Sequence, residues 1–145
     1  MRLLILFLTL IVGCTSKTNE QTTANNMKDW NKYFINIYQN FNERNIDFVI
    51  NNMASDVKWA NGMDGGFVYG HQGVREYWTR QFKLVSSHVT PPNVREENGE
   101  IIVEVHQVVH DLEGKLLADE TVTHIFKLDG DKIAQFDIKK EFNPK

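Results

Sequence analysis

The sequence predicts an α+β domain in which helices come first and an antiparallel sheet follows. Up to about residue 85, apolar residues mostly recur every three or four positions, which is the spacing of one helix face. Beyond that point, β-branched and alternating runs are separated by the turn signals Glu113-Gly114 and Asp129-Gly130. The part of the chain after residue 26 has the length of one domain.

Three helices are predicted from this spacing, the first of them capped by Asn26. Its apolar face comprises Met27, Trp30, Tyr33, Phe34, Ile37, Tyr38 and Phe41. A shorter second helix carries Ile46, Val49, Ile50 and Met53. The third, at about residues 71–85, carries Val74, Tyr77, Trp78, Phe82 and Val85.

The strands are predicted from alternation and β-branched content. Residues 56–60 alternate as a short strand does, and the three glycines of residues 61–69 indicate a loop or an irregular hairpin. Four strands follow. Their predicted ranges are 89–96, which Pro91-Pro92 interrupts, 100–111, 116–128 and 132–140.

The first 14 residues predict a signal sequence, because a positive start precedes ten mostly apolar residues, Leu3–Val12. A bilayer span would need about 20 apolar residues. Ile11-Val12-Gly13-Cys14 resembles a bacterial lipobox, which implies that Cys14 is lipidated and holds the protein on a membrane. The alternative is an ordinary signal peptide with an incidental cysteine. The polar residues 15–26 then form a disordered tether to the domain at 27–145.

The lipobox also implies a location, the periplasmic side of a bacterial membrane. Thr15 rather than Asp follows the cysteine, which indicates the outer membrane if the bacterium has two membranes. The net charge of −3 and the lack of a basic run argue against nucleic-acid binding.

A metal site is not expected. With Cys14 assigned to lipidation, no cysteine remains for a thiolate ligand or a disulfide. His106 and His110 are four residues apart in a β-branched run, and on a strand this spacing separates them by about 13 Å. We therefore expect both to be surface or rim residues.

Several stretches of the domain are distinctive: Val57-Lys58-Trp59, GHQGVREYWTRQF at 70–82, and VEVHQVVHDLEGKLL and THIFKLDGDKIAQFDI within 103–138. On these stretches the domain resembles the SnoaL-like branch of the nuclear transport factor 2-like fold. It implies a cone, in which a curved antiparallel sheet wraps around three N-terminal helices and leaves a pocket at its wide end. Cones of this fold are often dimeric. They serve as isomerases, cyclases, dehydratases, epoxide hydrolases or binding modules, so the fold alone does not define the chemistry.

The resemblance also argues against one mechanism. Ketosteroid isomerases of this fold use an Asp base, a Tyr and a protonated Asp, and the matching positions here hold Asn61, Ile37 and His124. An amide cannot abstract a proton, and isoleucine cannot donate a hydrogen bond to an oxyanion.

His124 is the candidate polar centre of the pocket, because it alternates with Val122, Phe126 and Leu128 on one strand face. Pairing across the Glu113-Gly114 turn places Gln107 on the same face. An even-numbered loop at 129–131 would add Asp137 as a catalytic partner of His124. A three-residue loop would instead place Phe136 and Ile138 there.

Trp59 and Tyr77 are the aromatic residues expected to line the open end of the cone and to stack on a ligand. The glycine-rich loop NGMDGGFVYGHQG lacks the Lys-Ser/Thr of a phosphate-binding loop, but it could act as a lid beside the mouth.

Three functions remain open. The first is a lipid-tethered module that binds a small hydrophobic or amphipathic molecule. The second is a cofactor-free lyase, isomerase or hydrolase that uses His124, and the third is a structural or protein-binding role. A homodimer is expected through the face of the sheet opposite His124, where four apolar residues are interrupted by Glu104, His106 and Asp119. The four are Ile102, Val108, Leu117 and Ile125.

Overall fold

A computed structural model describes residues 29–140. Its elements are α1 (Trp30–Asn42), α2 (Ile46–Asn51), β1 (Met53–Ala60), β2 (Phe67–Tyr69), α3 (Gly70–Phe82), β3 (Val85–Glu97), β4 (Glu100–Asp111), β5 (Leu116–Asp129) and β6 (Lys132–Lys140). The predicted signal sequence, Cys14, the tether and Met27 lie outside the described residues.

One six-stranded sheet has the order β2-β1-β6-β5-β4-β3. Every neighbouring pair is antiparallel except β1 and β6, which run parallel. The sheet is curved and the helices pack on its inner face, as the α+β prediction and the expected cone require. Phe34 of α1 lies 4.5 Å from Phe126 of β5, between ring centroids, and forms the centre of this packing.

The predicted strands are confirmed, and two of them, β4 and β6, have the predicted bounds. The segment 61–69 is a hairpin, since β2 pairs with β1 over three residue pairs. The register of β3 against β4 is interrupted between Thr90 and Asn93, where the two prolines remove backbone donors.

Three helix ends were predicted wrongly. α1 begins at Trp30, and its cap is Asp29, whose side chain accepts from the backbone N–H of Lys32 at 3.1 Å. Met53 is the first residue of β1 rather than part of α2, and Val85 is the first residue of β3 rather than the end of α3. These two apolar side chains continue the helical spacing by chance, because Met53 is buried in the core from β1 and the half-buried Val85 faces the cavity from β3.

None of the helices within residues 29–140 has the length and apolar character needed to cross a membrane.

Candidate functional site

A cavity of about 270 Å³ opens between the helices and the inner face of the sheet. Its deep walls are apolar and largely aromatic. The residues that form them include Ile37, Trp59, Trp78, Phe126 and Phe136. Trp59 packs on Phe136 with 4.1 Å between ring centroids and meets Trp78 edge-to-face at 5.2 Å. A ligand in this space would therefore contact mainly apolar side chains, several of them rigid aromatic rings.

His124 is the polar side chain at the buried end of the cavity, with 6% of its surface exposed. Its Nδ1 lies 2.7 Å from the Tyr38 hydroxyl of α1. The Tyr38 ring stacks on the imidazole at 5.8 Å, and Phe136 meets it edge-on at 4.8 Å. The contacts hold the ring in one orientation.

Burial makes the charged imidazolium unfavourable at this position. It lowers the pKa of His124 from 6.5 to about 3. Burial likewise raises the pKa of Tyr38 well above its ordinary value of 10. Both partners of the 2.7 Å hydrogen bond are thus neutral over the physiological pH range.

Two further polar pairs line the cavity. Gln107 of β4 donates from Nε2 to a carboxylate oxygen of Glu120 of β5 at 2.8 Å, and both side chains are half-buried. On the side of β3, the buried Gln81 donates to the hydroxyl of Ser87 at 3.3 Å. Either pair could therefore hydrogen-bond a polar group of an amphipathic molecule.

Residues 61–66 form one edge of the mouth, and hydrogen bonds and an ion pair hold this loop in place. The Tyr77 hydroxyl of α3 accepts from the backbone N–H of Gly62 at 3.1 Å. Asn61 Oδ1 accepts from the backbone N–H groups of residues 63 and 64 in the same loop, each at 3.0 Å. Asp64 is paired with Arg80 of α3. Burial raises the pKa of Tyr77, while the backbone hydrogen bonds at Gly62 and Met63 oppose that rise.

Asp137 does not share the pocket face with His124. Its register partner is Ile125, and the partner of His124 is Ile138. The carboxylate of Asp137 instead accepts from Gln135 at 2.5 Å. A dyad of Asp137 with His124 is therefore a wrong expectation.

A register shift in β6 places Asp137 on the face of the sheet opposite His124. The turn pairs Asp129 with Lys132, as a two-residue loop does, and this pairing alone would carry Asp137 to the inner face. Between Leu128 and Lys127, however, the partner changes from Ile133 to Gln135, so that Ala134 is left unmatched. One extra residue exchanges the faces of everything that follows.

The other candidates lie as follows. Trp59, Tyr77, Gln107 and His124 all line the cavity. His106 is exposed and forms a hydrogen bond with the carboxylate of Asp119 at 2.5 Å on the outer face, and His110 pairs with Leu116 at the far end of β4. In residues 29–140, no group of three or more His, Cys, Asp or Glu side chains could hold a metal ion.

Sequence reasoning missed Tyr38, which it assigned only to the apolar helix face. A buried tyrosine needs a partner for its hydroxyl, and this requirement was the available signal. Gln81 and Ser87 were also missed, because polar residues in a helix and at a strand start carry no distinctive spacing.

The geometry of a curved sheet closed by helices over an aromatic cavity is that of the SnoaL-like domain family, whose profile matches residues 34–136. The chain belongs to this family. No curated protein is significantly similar in sequence.

Several solved structures share the fold. An NTF2-like protein of unknown function from Burkholderia pseudomallei K96243 superposes with a TM-score of 0.70 at 20% identity, covering 79% of this chain and 92% of that one. TerC co-crystallised with polyporic acid gives 0.67 at 21% identity, covering 76% and 89%. An epoxide hydrolase from Mycobacterium tuberculosis gives 0.62 at 14% identity, covering 74% and 78%. At these identities the likeness establishes the fold.

Proposed function

We propose that this protein is a membrane-tethered SnoaL-like domain that binds a small hydrophobic or amphipathic molecule in its cone cavity. The observation that carries the proposal is the cavity itself, about 270 Å³ with mostly apolar walls and a few buried polar groups, among them the hydrogen-bonded Tyr38–His124 pair. Apolar walls with few, well-placed polar groups are typical of small-molecule sites. The polyporic acid complex of TerC supports the same use of the fold.

Binding is favoured over acid–base catalysis by the state of His124. An effective general base has a pKa near the operating pH, whereas burial lowers that of His124 to about 3. The carboxylate that could have raised it, Asp137, lies on the other face of the sheet. A catalytic role, as a cofactor-free lyase, isomerase or hydrolase, would require the bound substrate itself to raise the pKa of His124 toward the operating pH.

The tether belongs to the proposal as well. Lipidated Cys14 would hold the domain on the periplasmic side of a bacterial membrane, in the outer membrane by the sorting argument given above. A hydrophobic ligand has low solubility in water, so a binding domain kept beside a membrane remains close to the phase in which such molecules accumulate.

The test is binding of a neutral fluorescent probe, N-phenyl-1-naphthylamine, to the full-length chain. Ala118 lines the mouth from β5, so Ala118→Phe should fill part of the cavity and weaken probe binding by about tenfold or more. Thr121→Phe is the matched control. It adds the same side chain to the same strand, but Thr121 is exposed and pairs with His106 on the outer face.

Equal probe binding by the two variants would show that the probe does not occupy the cavity, and absence of saturable binding by the wild type would contradict the proposed function. Circular dichroism of both variants establishes that the fold is retained.

A further inference from the structure

The hydrogen bond between Tyr38 and His124 selects one tautomer of the imidazole. The Tyr38 hydroxyl has a single hydrogen, and among residues 29–140 the partner that the structure gives it is Nδ1 of His124, at 2.7 Å. Only 5% of the Tyr38 surface is exposed. If Nδ1 carried the proton, the buried hydroxyl would have no protein acceptor, which costs free energy. Tyr38 is therefore the donor, Nδ1 accepts, and the proton of the neutral ring resides on Nε2.

The protonated Nε2 borders the open volume of the cavity. No hydrogen bond joins Nε2 to another side chain or to the backbone in the described part of the chain. In that same part, no fully buried side-chain nitrogen or oxygen lacks a partner. Nε2 is thus accessible, and because His124 lines the cavity, the accessible side is the cavity. The Nε2–H of His124 is therefore a donor that faces the cavity.

The charged groups around the cavity restrict the charge that a bound ligand can carry. The lining residues include no lysine or arginine, and their one carboxylate is that of Glu120 at the mouth. The remaining titratable lining groups, Tyr38 and Tyr77, have raised pKa values and stay neutral. A buried anion would find no cation, and a buried ammonium would meet an N–H donor rather than an acceptor.

We infer that the ligand of this cavity is a neutral, mostly apolar molecule whose buried end carries a hydrogen-bond-accepting oxygen, such as a ketone or ester carbonyl, bound by the Nε2–H of His124. This inference rests on the proposed function and specifies the chemical class of the ligand. His124 acts as a fixed donor, with Tyr38 as the positioning residue that holds its tautomer.

The tautomer can be measured without a ligand. In long-range ¹H–¹⁵N correlation spectra of the full-length chain at neutral pH, His124 should show a pyrrole-type shift at Nε2 and a pyridine-type shift at Nδ1. The opposite pattern, with the proton on Nδ1, would overturn the inference whatever the cavity binds.

Three probes with one ring system then test the ligand class: 2-acetylnaphthalene, 2-ethylnaphthalene and 2-naphthoate. The ketone should bind about two- to tenfold more tightly than the hydrocarbon of nearly equal shape, as one net hydrogen bond allows. The carboxylate should bind at least about tenfold more weakly than the hydrocarbon, because its charge would be buried without a partner.

The variant carrying Tyr38→Phe and His124→Phe removes the pair and keeps aromatic rings, so its preference for the ketone over the hydrocarbon should disappear. Tyr33→Phe is the matched control on the same helix, since the Tyr33 hydroxyl donates to Asp131 outside the cavity lining, and it should keep the preference. If the hydrocarbon or the carboxylate equals the ketone in the wild type, the inference fails while the proposed function stands. If none of the three binds, the proposed function fails and the inference falls with it.

Discussion

Acidification should destabilise this domain through His124. In the unfolded chain the imidazole titrates near 6.5, whereas burial in the fold lowers its pKa to about 3. Between these values the unfolded state binds the proton and the folded state does not. The contribution of His124 to stability is therefore fully present above about pH 6.5, and it is lost progressively as the pH falls toward 3.

The magnitude follows from the two pKa values. Each pH unit below 6.5 costs about 1.36 kcal/mol, so the free energy of unfolding should fall by roughly 2–3 kcal/mol by pH 4.5 and by about 4–5 kcal/mol by pH 3. This is a large share of the 5–15 kcal/mol that is typical of a domain.

Urea unfolding of the wild type and of His124→Gln at pH 7.5 and pH 4.5 measures this difference. The wild type should lose roughly 2–3 kcal/mol more than the variant, whose amide does not titrate. Glu120 is the one carboxylate among the lining residues, so both proteins are also compared in a Glu120→Gln background. His106→Gln, at an exposed histidine, is the control for histidine replacement.

Equal losses for the wild type and His124→Gln would refute the reasoning, as would an NMR titration of His124 with a midpoint near 6.5. Either result would mean that burial does not disfavour the charged imidazolium of His124 to the extent that a pKa of about 3 requires.

Three further predictions concern the anchor, the sheet face and the site. Labelling with a fatty-acid analogue should mark the wild-type protein and not Cys14→Ser, whose continued partitioning with membranes would contradict the lipid anchor. Light scattering at micromolar concentration should report a homodimer. Leu117→Lys, at a half-exposed leucine of the outer face, should shift the equilibrium toward monomer. A monomeric wild type would contradict the predicted dimer. Asp137→Asn should leave the pKa of His124 unchanged, because the carboxylate lies on the opposite face of the sheet. A lower pKa in that variant, measured by NMR, would reinstate the dyad.

The outer face bears directly on the dimer prediction. Of the four apolar residues assigned to it, Ile102 is only 7% exposed within a single chain, and Val108 and Ile125 are half-buried. Leu117 is the member of the group with substantial exposure, at 51%. The apolar area available to a partner is thus smaller than the alternation alone suggests, which makes Leu117 the informative position to change.

The sequence by itself determined the order of the elements and the face of the sheet that carries Gln107 and His124. Alternation and turn signals predict the bounds of β4 and β6 and the shared face of Gln107 and His124. Alternation and turn signals depend only on residues that are neighbours in the sequence. The helix ends were less well determined. Met53 is buried in the core from β1 and the half-buried Val85 lines the cavity from β3, so the apolar character of each is compatible with either a helix or a strand.

The tertiary structure decided which groups meet in the cavity. Tyr38 and His124 are 86 residues apart, and their contact exists because α1 packs across the inner face of β5. The orientation of Asp137 depends on one unmatched residue, Ala134, which no periodicity signals. The low pKa of His124 likewise comes from the surrounding aromatic rings of separate elements. Periodicity predicts the face on which a side chain lies, but its partner and its solvation depend on packing between distant segments.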